Sequence, residues 1–158
     1  MYQVILAFVN LFFAGMLAGM EFVVHYGVST SAETLDERTQ LRLRQALVLR
    51  LRWLVPAFFL PTALTGIAVT VLDGLDGVGP SFWFRCAAVL AILIWIAIRV
   101  VGTVPINSAT LTWQPDAPPK DWKARVNHAE RFHIVGTWAA VAAFAFFLIA
   151  VALPLVGL

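Results

Sequence analysis

Charge is what this sequence has least of. Lys and Arg number 11 and Asp and Glu 9, together 13% of 158 residues, against 61% hydrophobic. So little charge excludes a soluble domain of this length. Cysteine is nearly absent too. Cys86 is the only one, so neither an intrachain disulfide nor a cysteine-based metal site can form, and it reads as a packing residue. There is no haem-attachment motif, nucleotide fingerprint or P-loop, so no organic cofactor is signalled. The net charge of +2 leaves no nucleic-acid footprint. Alternation of period two is missing as well: Ala87 to Ile98 is apolar at nearly every position, which excludes an outer-membrane barrel.

What is present is four long apolar runs, at 4–28, 53–72, 82–104 and 132–153. Each is long enough to cross a hydrocarbon layer as helix, which takes about 20 residues. The expected fold is all-α, an integral membrane four-helix bundle forming one domain over 1–158, with the lipid bilayer as its first partner. The first run lacks a preceding cation, is too long for a signal core and carries Glu21, so a retained span is expected. Arg38, Arg42, Arg44, Arg50 and Arg52 fall in 29–52, and Lys120, Lys123, Arg125 and Arg131 in 105–131. By the positive-inside rule those two connections are cytoplasmic and both termini face the non-cytoplasmic side of an inner or plasma membrane.

Against this background the ionisable residues inside or beside the runs are costly, and each marks a candidate site. Glu21 and His25 are one helical turn apart in the first run. Glu21 lies seventeen residues past Val4 and Arg99 seventeen past Phe82, on helices running the same way, so both should sit about 25 Å down at 1.5 Å per residue. Asn107 comes just after the third run, and His128, Glu130 and His133 lead into the fourth. Glu130 and His133 form an E-x-x-H pair, a spacing that puts carboxylate and imidazole on one helix face. All these residues converge on one mouth of the bundle.

The connections have their own signals. Residues 35–53 contain no Gly or Pro and should run as helix into the second span, capped by Thr34 or Ser31, with Asp36 and Glu37 suiting the first turn. Pro56 and Pro61 should kink that span or free its carbonyls. Gly15 and Gly19 make a G-x-x-x-G pair suited to close packing, within the chain or in a homo-oligomer. The third connection, with Pro105, Pro115, Pro118, Pro119, Trp113 and Trp122, is expected to be an irregular, stiff lid at the interface, its tryptophans in an interfacial belt with Trp53.

Several of these residues carry a family resemblance. Thr103-Val-Pro-Ile-Asn107, then Trp113, Pro118-Pro-Lys-Asp-Trp122 and Glu130-Arg-Phe-His133, preceded by Gly19-Met-Glu21 in the first helix, resemble the anthrone oxygenase family, small four-helix membrane proteins. The resemblance covers nearly the whole chain. It implies oxidation of a lipophilic aromatic substrate at an activated CH2 by O2. Where the family often has Arg after its histidine, this chain has Ile134, which removes a basic substrate contact there.

Three functions fit the sequence. In a metal-dependent oxygenase, His25, His133 and a carboxylate, Glu21 or Glu130, with His128 as a further ligand, would hold iron or copper in a two-His-one-carboxylate set. In a cofactor-free oxygenase, His25 or His133 would abstract a proton, with Arg99, Asn107 or Arg131 stabilising the enolate. In a structural or carrier protein Glu21 would simply pair with Arg99. Each residue also has a plain structural role open to it: the histidines at the headgroups, Glu130 at a helix N-terminus, Asn107 in a turn.

Overall fold

The computed structural model describes residues 2–156. All four expected spans lie within helices long and apolar enough to cross a membrane: Tyr2–Ala32, Glu37–Asp76, Pro80–Thr110 and Trp122–Leu155. Among the described residues there is no strand, only one antiparallel bridge between Gln114 and Ala117. The helices close on one another through small residues. Ala14, Ala18, Ala88, Ala91, Ala140 and Ala143 are buried around Leu17, Trp95 and Phe147. Small side chains bring backbones together where lipid offers no hydrophobic drive between helices. Large apolar side chains such as Phe8, Phe12, Leu64 and Leu90 point outward and are more than half exposed, as suits a chain whose outer solvent is hydrocarbon.

The second helix starts where Asp36 caps it: the Thr39 N–H donates to Asp36 Oδ1 at 3.1 Å and its hydroxyl to Oδ2 at 2.6 Å. The cap is thus Asp36 rather than Thr34 or Ser31, because only its carboxylate reaches the orphan N–H of the first turn. From there the helix is unbroken through Pro56 and Pro61 to Asp76. Thr62 and Thr65 donate to Phe58 O and Pro61 O, taking up main-chain oxygens in the proline region.

The third connection is mostly helical, contrary to the irregular segment expected. Val104–Thr110 continues the third helix, and the fourth begins at Trp122, well before its apolar run. Pro105 falls just past the wide turn at Arg99–Thr103, in the first turn of the segment that follows it. Nor do Trp113 and Trp122 join an interfacial belt. Both are buried around the fully buried Leu41, forming a second small core at this end of the bundle, because an apolar residue on the extended second helix needs a partner outside the span. Gln45 Nε2 clamps that cap by donating to Thr110 O and Trp113 O. Of the glycine pair, a Cβ on Gly15 would meet Phe144 of the fourth helix at 3.3 Å, and one on Gly19 would meet nothing within 4 Å.

Candidate functional site

Two of the helices widen where they reach the site. The first passes into a π-helical segment at Val23–Ser29, which contains His25, and the third does so at Arg99–Thr103. A π turn inserts one extra residue and rotates the helix beyond it, and such turns recur at functional sites. Thr30 and Ser31 hydroxyls donate to Tyr26 O and Gly27 O, each at 2.6 Å, taking up oxygens of the first wide turn. The second contains Gly102, where an added Cβ would overlap the Phe132 ring. Only hydrogen fits there, so glycine lets the fourth helix close in and sets His133, the residue after Phe132.

Glu21 is 1% exposed and accepts a hydrogen bond from Arg99, whose guanidinium also lies over the Trp95 ring at 5.6 Å. Depth counting from the sequence is thereby met in space. His133 Nε2 is 3.5 Å from Glu21 Oε2, and His25 Nδ1 is 3.6 Å from Glu130 Oε2. The two imidazoles are neighbours, with centroids 5.4 Å apart and planes tilted by 43°. Arg44 closes the array, donating to Glu130 Oε1 at 2.8 Å and to Asn107 Oδ1 at 3.0 Å. Two carboxylates and two guanidiniums balance, so the cluster is neutral while the imidazoles are neutral, and each ion is compensated as burial requires.

His25, Glu130 and His133 can hold a metal ion: one donor atom from each lies within 4.8 Å of the others. Bonds near 2 Å put donors on one ion some 3 to 4 Å apart, so closure by about an ångström completes the set. The donor chemistry fits. His25 Nδ1, His133 Nδ1 and Glu130 Oε2 are buried and have no hydrogen-bond partner. Glu21, committed to Arg99, stands beside His133 Nε2, the position from which a carboxylate orients a ligating imidazole. His128 is outside the group. It is exposed, with its ring edge-on to Phe132 at 5.1 Å, and Arg131 is exposed as well. His128 and His133 are five positions apart, about 140° around a helix, so the two do not share a face.

A cavity of about 400 Å³ adjoins the cluster. Its polar lining includes Glu21, Arg44, Arg99, Asn107, Glu130 and His133, while His25 lies behind His133 and outside the lining. Leu51, Val55 and Phe59 of the second helix supply apolar wall, and Phe59 stacks on Trp95 at 5.1 Å and 30°. Arg44 is the site residue that sequence reasoning misses, because there it counts only as a loop cation. A signal for it exists: Leu41, Arg44, Gln45 and Val48 have helical spacing and turn inward, whereas Arg42, Arg50 and Arg52 are exposed. No family model, curated protein or solved structure matches this chain.

Proposed function

We propose that this chain is a membrane-embedded oxygenase for a lipophilic aromatic substrate, working at a His25, Glu130 and His133 metal centre with iron or copper. The observation that carries the reading is the set of three unpartnered donors converging beside a half-apolar cavity. Two histidines and one carboxylate suit non-haem iron, and imidazole also suits copper. The Phe59 and Trp95 stack supplies a flat aromatic surface in the cavity lining. The resemblance to anthrone oxygenases points the same way. Conversion of an activated CH2 by O2 to C=O and water balances without an external reductant, in keeping with a sequence that signals no organic cofactor.

The ion would supply activation of O2. The chain's own residues do the rest. Arg44 and Arg99 each hold one carboxylate and line the cavity, so two guanidiniums stand beside a substrate oxygen that gains negative charge. Glu21 fixes Arg99 and the orientation of His133, and Asn107 fixes Arg44. The buried cap of Leu41, Trp113 and Trp122 keeps bulk water from this end. The cation-rich connections favour a cytoplasmic position for this end, with both termini opposite.

A second reading has an observation of its own. Imidazole beside two guanidiniums is also an enolate pocket, in which His133 takes the proton and the carbanion meets O2 directly. Elemental analysis of protein purified without chelator separates the two, read beside O2 uptake with an anthrone-type substrate. About one iron or copper per chain, lost in His25→Ala and Glu130→Gln but kept in His128→Ala, supports the metal centre. Full turnover by metal-free protein supports the base mechanism. Neither metal nor turnover rejects both and leaves a structural or carrier role.

A further inference from the structure

The cavity has a way in, and its position is informative. Most of its lining is half-buried or buried, but four lining residues are exposed: Arg52 and Pro56 on the second helix, Val104 and Ser108 on the third. Each pair is spaced i, i+4 and therefore forms a strip along one helix face. The two strips are the lips of a slot between these helices. The lips also mark depth. Arg52 immediately precedes the second apolar run, and Val104 ends the third, so the slot opens at the boundary between hydrocarbon and headgroups. Trp53 next to it is 72% exposed and carries the Arg52 guanidinium over its ring at 5.5 Å, an interfacial arrangement.

The end of the bundle itself is shut. Thr110 and Leu41 are fully buried, Trp113 and Trp122 nearly so, Gln45 ties the second helix to two carbonyls, and Arg44 bridges Glu130 and Asn107. Two exposed ion pairs, Arg38 with Asp116 and Lys123 with Glu37, each at 2.6 Å, hold the cap from outside. Entry from water would have to break this layer, whereas entry from the bilayer meets only the slot.

Charge then selects what enters. Of the three guanidiniums in the lining, Arg44 and Arg99 are held by Glu130 and Glu21, while Arg52 lies on an aromatic ring rather than a carboxylate. We infer that the slot is a lateral portal from the leaflet at the capped end, taking an apolar molecule that bears an anionic oxygen, with Arg52 at the lip as its first contact. This rests on the cavity being the substrate site and adds its entrance and the charge of its ligand. A shallow hollow of about 540 Å³ on the outer face of the first helix offers no such selection, since Val4, Ile5, Phe8, Val9, Phe12 and Phe13 line it without a polar side chain.

The anionic oxygen has two sources, an acyl carboxylate or a phenolate, and the test distinguishes them. Chelator-treated protein in nanodiscs of zwitterionic lipid is photolabelled by two probes, a diazirine fatty acid and a diazirine alkyl nitrophenol ionised at pH 8. Metal and turnover play no part, so failure here is separate from failure of the oxygenase reading. Saturable labelling of the 51–59 and 104–108 segments, displaced by the matching acid but not by oleyl alcohol, is expected. Saturation by the fatty acid probe assigns the carboxylate source, and by the nitrophenol probe the phenolate source. Arg52→Gln, at an exposed position, should raise the half-saturating concentration about fivefold, the worth of one Arg near an anionic group. Equal displacement by oleyl alcohol overturns the proposal, as does unsaturable labelling spread over Phe8, Phe12, Leu64 and Leu90.

Discussion

The two ends of the bundle treat buried polarity in opposite ways. At the end away from the cap, Asn10 Nδ2 donates to Thr62 O and Thr65 Oγ1, both at 3.0 Å, and Arg85 Nε donates to Asp73 Oδ2 at 2.5 Å. These groups are spent on one another. At the capped end eight buried side-chain atoms have no partner among the described residues, including both Nδ1 atoms of His25 and His133 and the Nε atoms of Arg44 and Arg99. Every one of the eight lies in the cavity lining or within a few residues of the cluster. An unsatisfied buried group costs about 1 to 3 kcal/mol, so stability alone would have removed them. The far end is built to hold helices together, and the capped end to hold something else.

The largest test of this contrast is Glu21→Gln. It leaves the buried Arg99 guanidinium uncompensated and should cost about 3 to 5 kcal/mol in unfolding from mixed micelles, much of it recovered by adding Arg99→Met. If the double variant stays as unstable as the single, the pair is not what holds this region.

Next come two glycines, one per end. Gly66→Ala would bring a Cβ to 2.6 Å from Phe147 Cζ and 3.2 Å from Asn10 Nδ2, and Gly102→Ala would drive one into Phe132. Overpacking of this kind costs about 1 to 3 kcal/mol. Both variants should lose stability, but only Gly102→Ala should also weaken metal binding, by moving the helix turn that carries His133. Equal metal affinity in the two would blur the distinction between the ends.

A finer comparison sets Asn10→Leu against Thr137→Val. The first removes satisfied hydrogen bonds, worth about 0.6 kcal/mol each on average inside membranes. The second removes the buried, unpartnered Thr137 hydroxyl with almost no change of shape, and should be neutral or slightly stabilising. A destabilised Thr137→Val protein would reveal a partner for that hydroxyl.

The smallest effect is at the rim. The hydroxyl and N–H of Thr39 hold the Asp36 carboxyl below its usual value of 3.8. A depressed value means the cap contributes fully above that usual value and is lost as pH falls through the folded-state one. Amide exchange at the first turn of the second helix should therefore rise only in acid, and Asp36→Ala should show the raised exchange at neutral pH as well.

How much of the molecule is legible in its sequence depends on which physics decides each residue. Apolar run length places the four spans, and counting from run ends brings Glu21 to Arg99. The E-x-x-H spacing rightly puts Glu130 and His133 on one face, since three residues are about 60° apart around a helix. Phase is harder. His128 lies close to Glu130 in sequence, yet it is five positions from His133, about 140° around a helix, and the helix that starts at Trp122 carries it on the outer side. Arg44 disappears into a group of arginines because charge counting for topology ignores the face each one occupies. The cap escapes a hydropathy reading because its core is only Leu41, Trp113 and Trp122, far apart in sequence and flanked by charge.

The two π turns have a consequence for how this chain tolerates change in length. Each amounts to a one-residue insertion absorbed within a helix, so the residues beyond it are about 100° out of phase with a straight continuation. Deleting one residue from Arg99–Thr103 would let the helix heal, yet would swing Asn107 off Arg44 by more than a quarter turn. Deleting one from Val23–Ser29 would do the same to His25 or to the turn below it. Within these stretches His25, Arg99 and Gly102 are held by type, while the other positions serve by number, so the frame of the site is kept by residue count as much as by residue type.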